Sequence, residues 1–296
     1  MIASEVPPIP DPDAPSLATA RAQRRADRRW YRQPALMAGI VVLVIVVGMA
    51  VLAPVITSYN PNAQDLTSSL LGPSGKHLLG TDQLGRDTFT RLLYGLRLDL
   101  RIAFIAVLFP FVLGTVLGTL AGYFGGWVDA IIMRLVDIVV AFPFYVLVIA
   151  LVFVLGPGER SIYIAITAVG WVAYARIIRG EILVAKRQDY VTAARSGGLS
   201  DLRIMSRHLL PNVITQAFIY AMSDIVQDIL AIVTLGYLGL GIPPPTADLG
   251  SMINDGQNFL STHWQLTTIP GLVVVVVGLG LSLVGDGLAD LLRPGR

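Results

Sequence analysis

The sequence predicts an all-α integral membrane protein with about six transmembrane helices, and three observations carry that prediction. Hydrophobic residues fill 54% of the 296 positions, charged ones only 14%, and the mean hydropathy is +0.67, too apolar for a soluble domain of average composition. Apolar runs long enough to cross ~30 Å of hydrocarbon recur along the chain. Basic residues collect before the first run and between the fourth and fifth, which one bilayer orientation places on the same side.

Residues 1–34 read as a cytoplasmic tail, Pro-, Ala-, Ser- and Asp-rich through Ala20 and then basic, with Arg21, Arg24, Arg25, Arg28, Arg29 and Arg32 ahead of the first span. A signal peptide would begin sooner and have a shorter apolar core. Residues 35–296 form the membrane domain. Its spans fit Ala35 to Thr57, Leu98 to Gly122, Asp137 to Gly156, Ser161 to Ile178, Val213 to Leu235 and Thr268 to Leu291. An even count returns the C-terminus to the cytoplasm. Loops 58–97 and 236–267 then lie outside, and loop 179–212, with Arg179, Lys186, Arg187, Arg195, Arg203 and Arg207, lies inside. The external loop's Lys76, Arg86, Arg91, Arg97 and Arg101 are nearly balanced by Asp65, Asp82, Asp87 and Asp99, and are treated as noise in the orientation test.

The inner loop is the most informative stretch. Asp189 caps a short helix over Tyr190 to Ser196, Gly197-Gly198 end it at positive φ, and Ser200 caps a second helix with Asp201 in its first turn. Ala193 and Ala194 leave the first helix bare enough for a partner to approach, while Leu202, Met205 and Leu209 make an apolar stripe on the second. Pro211 stops that helix and opens the next span. The bland reading is an ordinary basic loop that obeys the orientation rule.

At this point the chain resembles a known family. Thr192-Ala-Ala-Arg-Ser-Gly-Gly198, followed by Leu210-Pro211, is similar to the EAA loop of ABC importer permeases. Three further stretches resemble the peptide-type branch: Leu79-Gly-Thr-Asp-Gln-Leu-Gly-Arg-Asp87, Gly122-Tyr-Phe-Gly-Gly-Trp-Val-Asp129 with Met133-Arg134 and Asp137, and Leu238-Gly-Leu-Gly-Ile-Pro-Pro-Pro245. The resemblance implies a type I importer architecture with a cytoplasmic coupling helix, in a bacterial cell membrane. It implies ATPase coupling through Tyr190, Thr192, Ala193, Ala194, Arg195, Gly198, Arg203 and Pro211. Asp82, Arg86, Asp87, Gly241, Pro243 and Pro244 become candidates for an outer gate or for contact with a binding protein. Implied partners are a second homologous permease, cytoplasmic ATP-binding subunits that hold the ATP and Mg, and an extracytoplasmic substrate-binding protein. Dipeptides or oligopeptides are the implied cargo, with nickel or another small solute as the alternative. Three positions depart from the pattern: Thr192 replaces the loop's Glu, Ile232 stands where an acid is common, and Asp248-Leu249 replaces Glu-Trp.

Asp224 and Asp228, spaced i, i+4 with Gln227 beside them, share one face of the fifth span. A carboxylate at a span centre costs ~3 kcal/mol to insert, so it must face water or a partner. Two readings stand: a translocation path, or a buried pair held by backbone or by an arginine of a neighbouring subunit. An ion-coupled transporter or channel would use the same pair as a relay, but no inverted repeat supports it. Gly114, Gly118 and Gly122 form a smooth ridge for helix packing, and Gly278, Ser282 and Gly285 offer a second. The absence of cysteine excludes disulfides and thiolate chemistry. His77, His208 and His263 lie in separate segments and argue against a zinc site. Gly72-Pro-Ser-Gly-Lys76 has the wrong length for a phosphate loop, and Gly236 to Gly241 follows a membrane helix rather than a strand, so no nucleotide or other cofactor is expected on this chain. No catalytic constellation is found.

Overall fold

The computed structural model describes residues 33–292; the expected tail, its arginines and the last four positions lie outside the described residues. The described part is helical, with no β-strand among the described residues. Five helical runs are long and apolar enough to cross a membrane. They are α1 (Pro34–Val51), α3 (Thr88–Phe124), α6 (Glu159–Ala185), the run from α8 (Asp201–Ile204) into α9 (Leu210–Tyr237), and α11 (Gln265–Leu292). The short α2 (Ala53–Ile56) continues α1, and α7 (Asp189–Ser196) and α10 (Leu249–Gln257) lie in loops.

The third expected span differs. Instead of one helix from Asp137 to Gly156, the chain forms α4 (Gly126–Val140) and α5 (Phe144–Leu155), bent by 88° at the break. Pro143 is the cause: it caps α5 in an extended conformation (φ −60°, ψ 133°), and a proline disfavours helix at the residue before it, Phe142. At 1.5 Å per residue the halves reach only ~22 and ~18 Å, so neither crosses ~30 Å alone.

Span α3 also begins ten residues earlier than its apolar run. The Asp87 carboxylate accepts the Thr90 N–H at 2.8 Å and starts the helix at Thr88, so residues 88–97 are helix rather than loop. The result is a 37-residue rod that packs along α6 as the spine of the molecule. The glycine ridge makes this possible. A Cβ on Gly114 would strike the Trp171 carbonyl, one on Gly118 the Ala175 carbonyl, and one on Gly122 the Ile182 side chain at 2.8 Å. The second proposed ridge is displaced. Gly278 faces α9 with room and Gly285 meets Met222 of α9 more tightly, at 3.2 Å, whereas Gly280 and Gly287 make the closest approach, against Leu43 and Leu36 of α1.

Apolar side chains fill three clusters. One lies around Ile102, Ile162, Ile166 and Ile232, one around Tyr174, Ile178, Ile182 and Leu209, and one joins Ile132 and Val136 of α4 to Trp171 and Val172. Outside them, Val55, Phe104, Phe153 and Val154 are each at least 69% exposed, an outer surface suited to lipid or to another membrane subunit.

Candidate functional site

Three regions carry the chemistry: an elbow at one end of the bundle, a polar cavity within it, and a charged cap at the other end.

The elbow starts where α6 ends at Ala185. Helix α7 begins at Asp189 rather than at Tyr190; Gln188 takes the cap position, and Asp189 sits in the first turn, where the helix dipole favours its charge. Its end is built as expected. The Leu199 N–H reaches the Ala194 carbonyl at 3.2 Å, the Gly198 N–H reaches Arg195 at 3.0 Å, and Gly198 adopts φ +74°, which a side chain would strain. Ser200 holds the second cap position without a side-chain hydrogen bond. Pro211 does not stop the following helix. A π turn (Met205–Leu209) links α8 to α9 and widens the ring where the proline lacks an N–H, so the chain runs helically from Asp201 to Tyr237.

Tyr190, Thr192, Ala193, Arg195, Gly198, Arg203 and Pro211 are exposed together on the elbow, with Ala194 half-buried. Beneath them Val191, Ile204, Met205 and Leu209 are buried against Ile178 and Ile182. Leu202 is 72% exposed, so the expected stripe is carried by Ile204, Met205 and Leu209 instead.

Polar ties fasten the elbow to the end of α3. The Tyr123 hydroxyl donates to Asp201 at 2.5 Å and accepts from Arg195 at 3.3 Å, and the Arg195 guanidinium lies 5.7 Å from the Tyr123 ring centroid. Lys186 donates to the Gly122 carbonyl at 2.7 Å, and Arg179 holds Asp129 of α4 through two bonds of 2.5 and 2.6 Å. None of these ties was foreseen, although Gly122, Tyr123 and Asp129 belong to a motif already singled out. Their partners lie 50 to 78 positions away, beyond any local pattern.

Asp224, Gln227 and Asp228 sit near the middle of α9, and the two carboxylates are buried. Asp224 accepts the Tyr174 hydroxyl of α6 at 2.7 Å, while both Asp228 oxygens lack a partner among the described residues. Asp224 and Gln227 line a cavity of about 250 Å³ with Tyr220 and Arg176, walled on one side by Phe142 and Phe144 at the α4/α5 bend.

At the cap, the charges set aside as balanced are an organised network. Arg86 donates to Asp82 at 2.6 Å and to Asp255 of α10 at 3.3 Å, and Arg91 donates to the carbonyls of Pro61 and Pro245 at 3.0 and 3.3 Å. Asp87 holds His77 at 2.9 Å besides capping α3. Asp99 accepts the Leu249 N–H at 3.0 Å, and the neighbouring Asp248 caps α10 through Ser251 at 2.9 Å. Burial pushes the Asp248 carboxyl above its ordinary value. Asp82, Arg86 and Asp87, expected at a gate or partner surface, are buried as internal ties because each closes a bond inside the cap. Gly241 is also buried, with Gly236 too near to admit a side chain, whereas Pro243 and Pro244 are exposed.

Comparison with known proteins decides the family. Residues 114–296 match the model of the binding-protein-dependent transport system inner membrane component, and residues 24–73 match the N-terminal membrane domain of oligopeptide transport permease C. The chain belongs to this permease family. It is 34% identical over 289 residues to the dipeptide transport system permease protein DppC of Alkalihalophilus pseudofirmus, covering 96% of this chain and 95% of that one. It is 38% identical over 268 residues to DppC of Bacillus subtilis, covering 90% and 84% respectively. It is 37% identical over 261 residues to the probable D,D-dipeptide permease DdpC of Escherichia coli, covering 88% of each. Among solved structures, the inward-facing MetNI methionine ABC transporter superposes with a TM-score of 0.55 at 18% identity, covering 69% of this chain and 97% of that one. An amino acid ABC transporter with histidines gives 0.51 at 16%, covering 66% and 91%. The expected fold class, a membrane permease of the ABC importer type, is thus borne out. As a binding-protein-dependent permease, the chain works with an ATPase and a binding protein.

Proposed function

We propose that the chain is the membrane subunit of an ATP-driven importer for dipeptides or short oligopeptides in a bacterial cell membrane. It forms half of the path beside a second, homologous permease. The elbow end faces the cytoplasm with both termini, and the cap faces outward toward the binding protein. ATP and Mg bind to partner subunits, and this chain supplies no catalytic group.

The observation that carries the reading is the elbow. An eight-residue helix that exposes Tyr190, Thr192 and Ala193 is locked to three spans by buried apolar contacts and by Tyr123. A partner ATPase seated there would move α6 and α9 together, and the Asp224 face with them. Two packings of one rigid body biased by a distant ligand is what energetic coupling requires. At the far end the exposed Pro243-Pro244 loop, braced by Arg91 on Pro245, presents a fixed edge to a binding protein.

The test is to tag the chain, extract it gently from native membranes, identify what co-purifies, and assay ATP hydrolysis with and without peptide-loaded binding protein. A second permease and an ATPase are expected, with hydrolysis stimulated by the loaded protein and the stimulation abolished by Ala193→Trp. Recovery of the chain alone, with no associated hydrolysis, would overturn the reading.

A further inference from the structure

The cavity beside Asp224 brings together two opposite charges that the fold does not neutralise with one another. Arg176 lies seventeen residues into α6, about 25 Å from its first residue at 1.5 Å per residue, inside a run that crosses the membrane. It is exposed on the cavity and pairs with no carboxylate among the described residues, while each of Arg86, Arg91, Arg101 and Arg179 does. Across the same space Asp224 is 4% exposed and keeps its place through Tyr174. Charged side chains within a span are costly and persist where they serve a pathway or a ligand. Beyond the cavity, Arg176 continues onto open surface beside Ala173 and Ile177 on the same helix.

We propose that this cavity is a transit site for a zwitterionic dipeptide, whose ammonium end meets Asp224 and whose terminal carboxylate meets Arg176. The inference rests on the importer reading and names the cargo at its central site. Size agrees: a cleft of about 250 Å³ has room for a dipeptide. An extended dipeptide spans ~7 Å, which separates its terminal charges enough for groups on two different helices to take one each. Arginine suits a carboxylate because its planar fork donates two parallel bonds. Tyr220 and Gln227 supply a hydroxyl and an amide for the peptide bond, and Phe142 and Phe144 give an apolar wall that accepts varied side chains. Recognition of the two ends and the backbone, with a permissive wall, lets one path carry many sequences.

The test uses the complete complex with its partner subunits. Equilibrium binding of alanyl-alanine and of its C-terminal amide is measured on the solubilised complex without binding protein, and uptake and ATP hydrolysis are measured in proteoliposomes with it. The wild type is expected to prefer the free acid about tenfold, the worth of one charge-assisted pair. Arg176→Gln is expected to bind acid and amide alike, and Arg176→Lys to recover part of the preference. Asp224→Asn keeps an oxygen for Tyr174 and is expected to lower uptake per ATP about tenfold. Wild-type acid preference in Arg176→Gln, or a loss of assembly shared by Arg176→Gln and Arg176→Lys, would overturn the site while leaving the importer reading in place. Failure of the wild-type complex to take up peptide with binding protein present would instead sink that underlying reading.

Discussion

Tyr123→Phe isolates the tie between the elbow and the spine. The substitution removes one oxygen and leaves the ring, so the 5.7 Å stacking of Arg195 and the contacts in the elbow core remain. Two interactions go: the 2.5 Å bond to Asp201 and the 3.3 Å bond from Arg195. A hydrogen bond to a charged group contributes ~1.5–3 kcal/mol, but Asp201 and Arg195 are exposed and recover water, so the net loss is about 1 kcal/mol. The assay is a double-mutant cycle between Tyr123→Phe and Asp201→Ala, which leaves the hydroxyl no acceptor there, read on the rate of ATP hydrolysis stimulated by loaded binding protein. An interaction of ~1 kcal/mol makes the Tyr123→Phe effect about fivefold with Asp201 present and nearly absent after Asp201→Ala. Peptide carried per ATP should fall with the tie, because the ATPase would then move an elbow no longer fastened to α3. Additive effects of the two substitutions, or an unchanged ratio of uptake to hydrolysis, would refute the reasoning.

Three further outcomes follow from the packing and the charges. Gly118→Val drives a side chain into the Ala175 carbonyl and is expected to cost ~2–3 kcal/mol, seen as loss of assembled complex, while Gly48→Val, with nothing within 4 Å, leaves assembly unchanged. Arg86→Gln removes the closer of two guanidinium partners from the buried Asp82, which keeps Arg91 at 3.5 Å and the Leu84 N–H at 2.9 Å, and is expected to cost about 2 kcal/mol, read as a lowered unfolding midpoint in detergent. Because the Asp248 carboxyl is held above its ordinary value, the folded chain takes up that proton more readily than the unfolded one, and this group's contribution to stability falls as pH rises through and above the ordinary carboxylate range. Asp248→Asn, which still caps Ser251, is therefore expected to be more favourable to stability near pH 8 than near pH 4, by thermal unfolding at both.

The membrane character, five of the spans and the elbow with its glycine stop were legible because hydropathy and turn chemistry are local. The bend at Pro143 was equally local, yet a continuous apolar run from Asp137 to Gly156 hid it, since hydropathy sums over a window and ignores backbone angles. The early start of α3 was masked in the opposite way. Arg91, Arg97 and Asp99 lower the hydropathy of its first turns, although Asp87 with Thr90 three residues on is a readable cap. The cap network could not be read at all. Arg86 finds Asp255 across 169 positions and Asp99 finds Leu249 across 150, and only the folded backbone brings such pairs together. Arg176 escaped notice for a related reason. On the sequence it is one more basic residue just before the inner loop, and only the cavity distinguishes it from its neighbours.

The π turn at Met205–Leu209 also sets a rotational phase. A wide turn inserts one residue into the helix, and one residue corresponds to about 100° of rotation in an α-helix. The count of residues between Asp201 and Asp224 therefore decides which way the carboxylate points while the elbow stays seated on α3. With one residue fewer, Asp224 would swing about a quarter turn away from Tyr174 and off the cavity wall. The chain length of a loop on the membrane's edge thus specifies the chemistry of a surface buried near its middle.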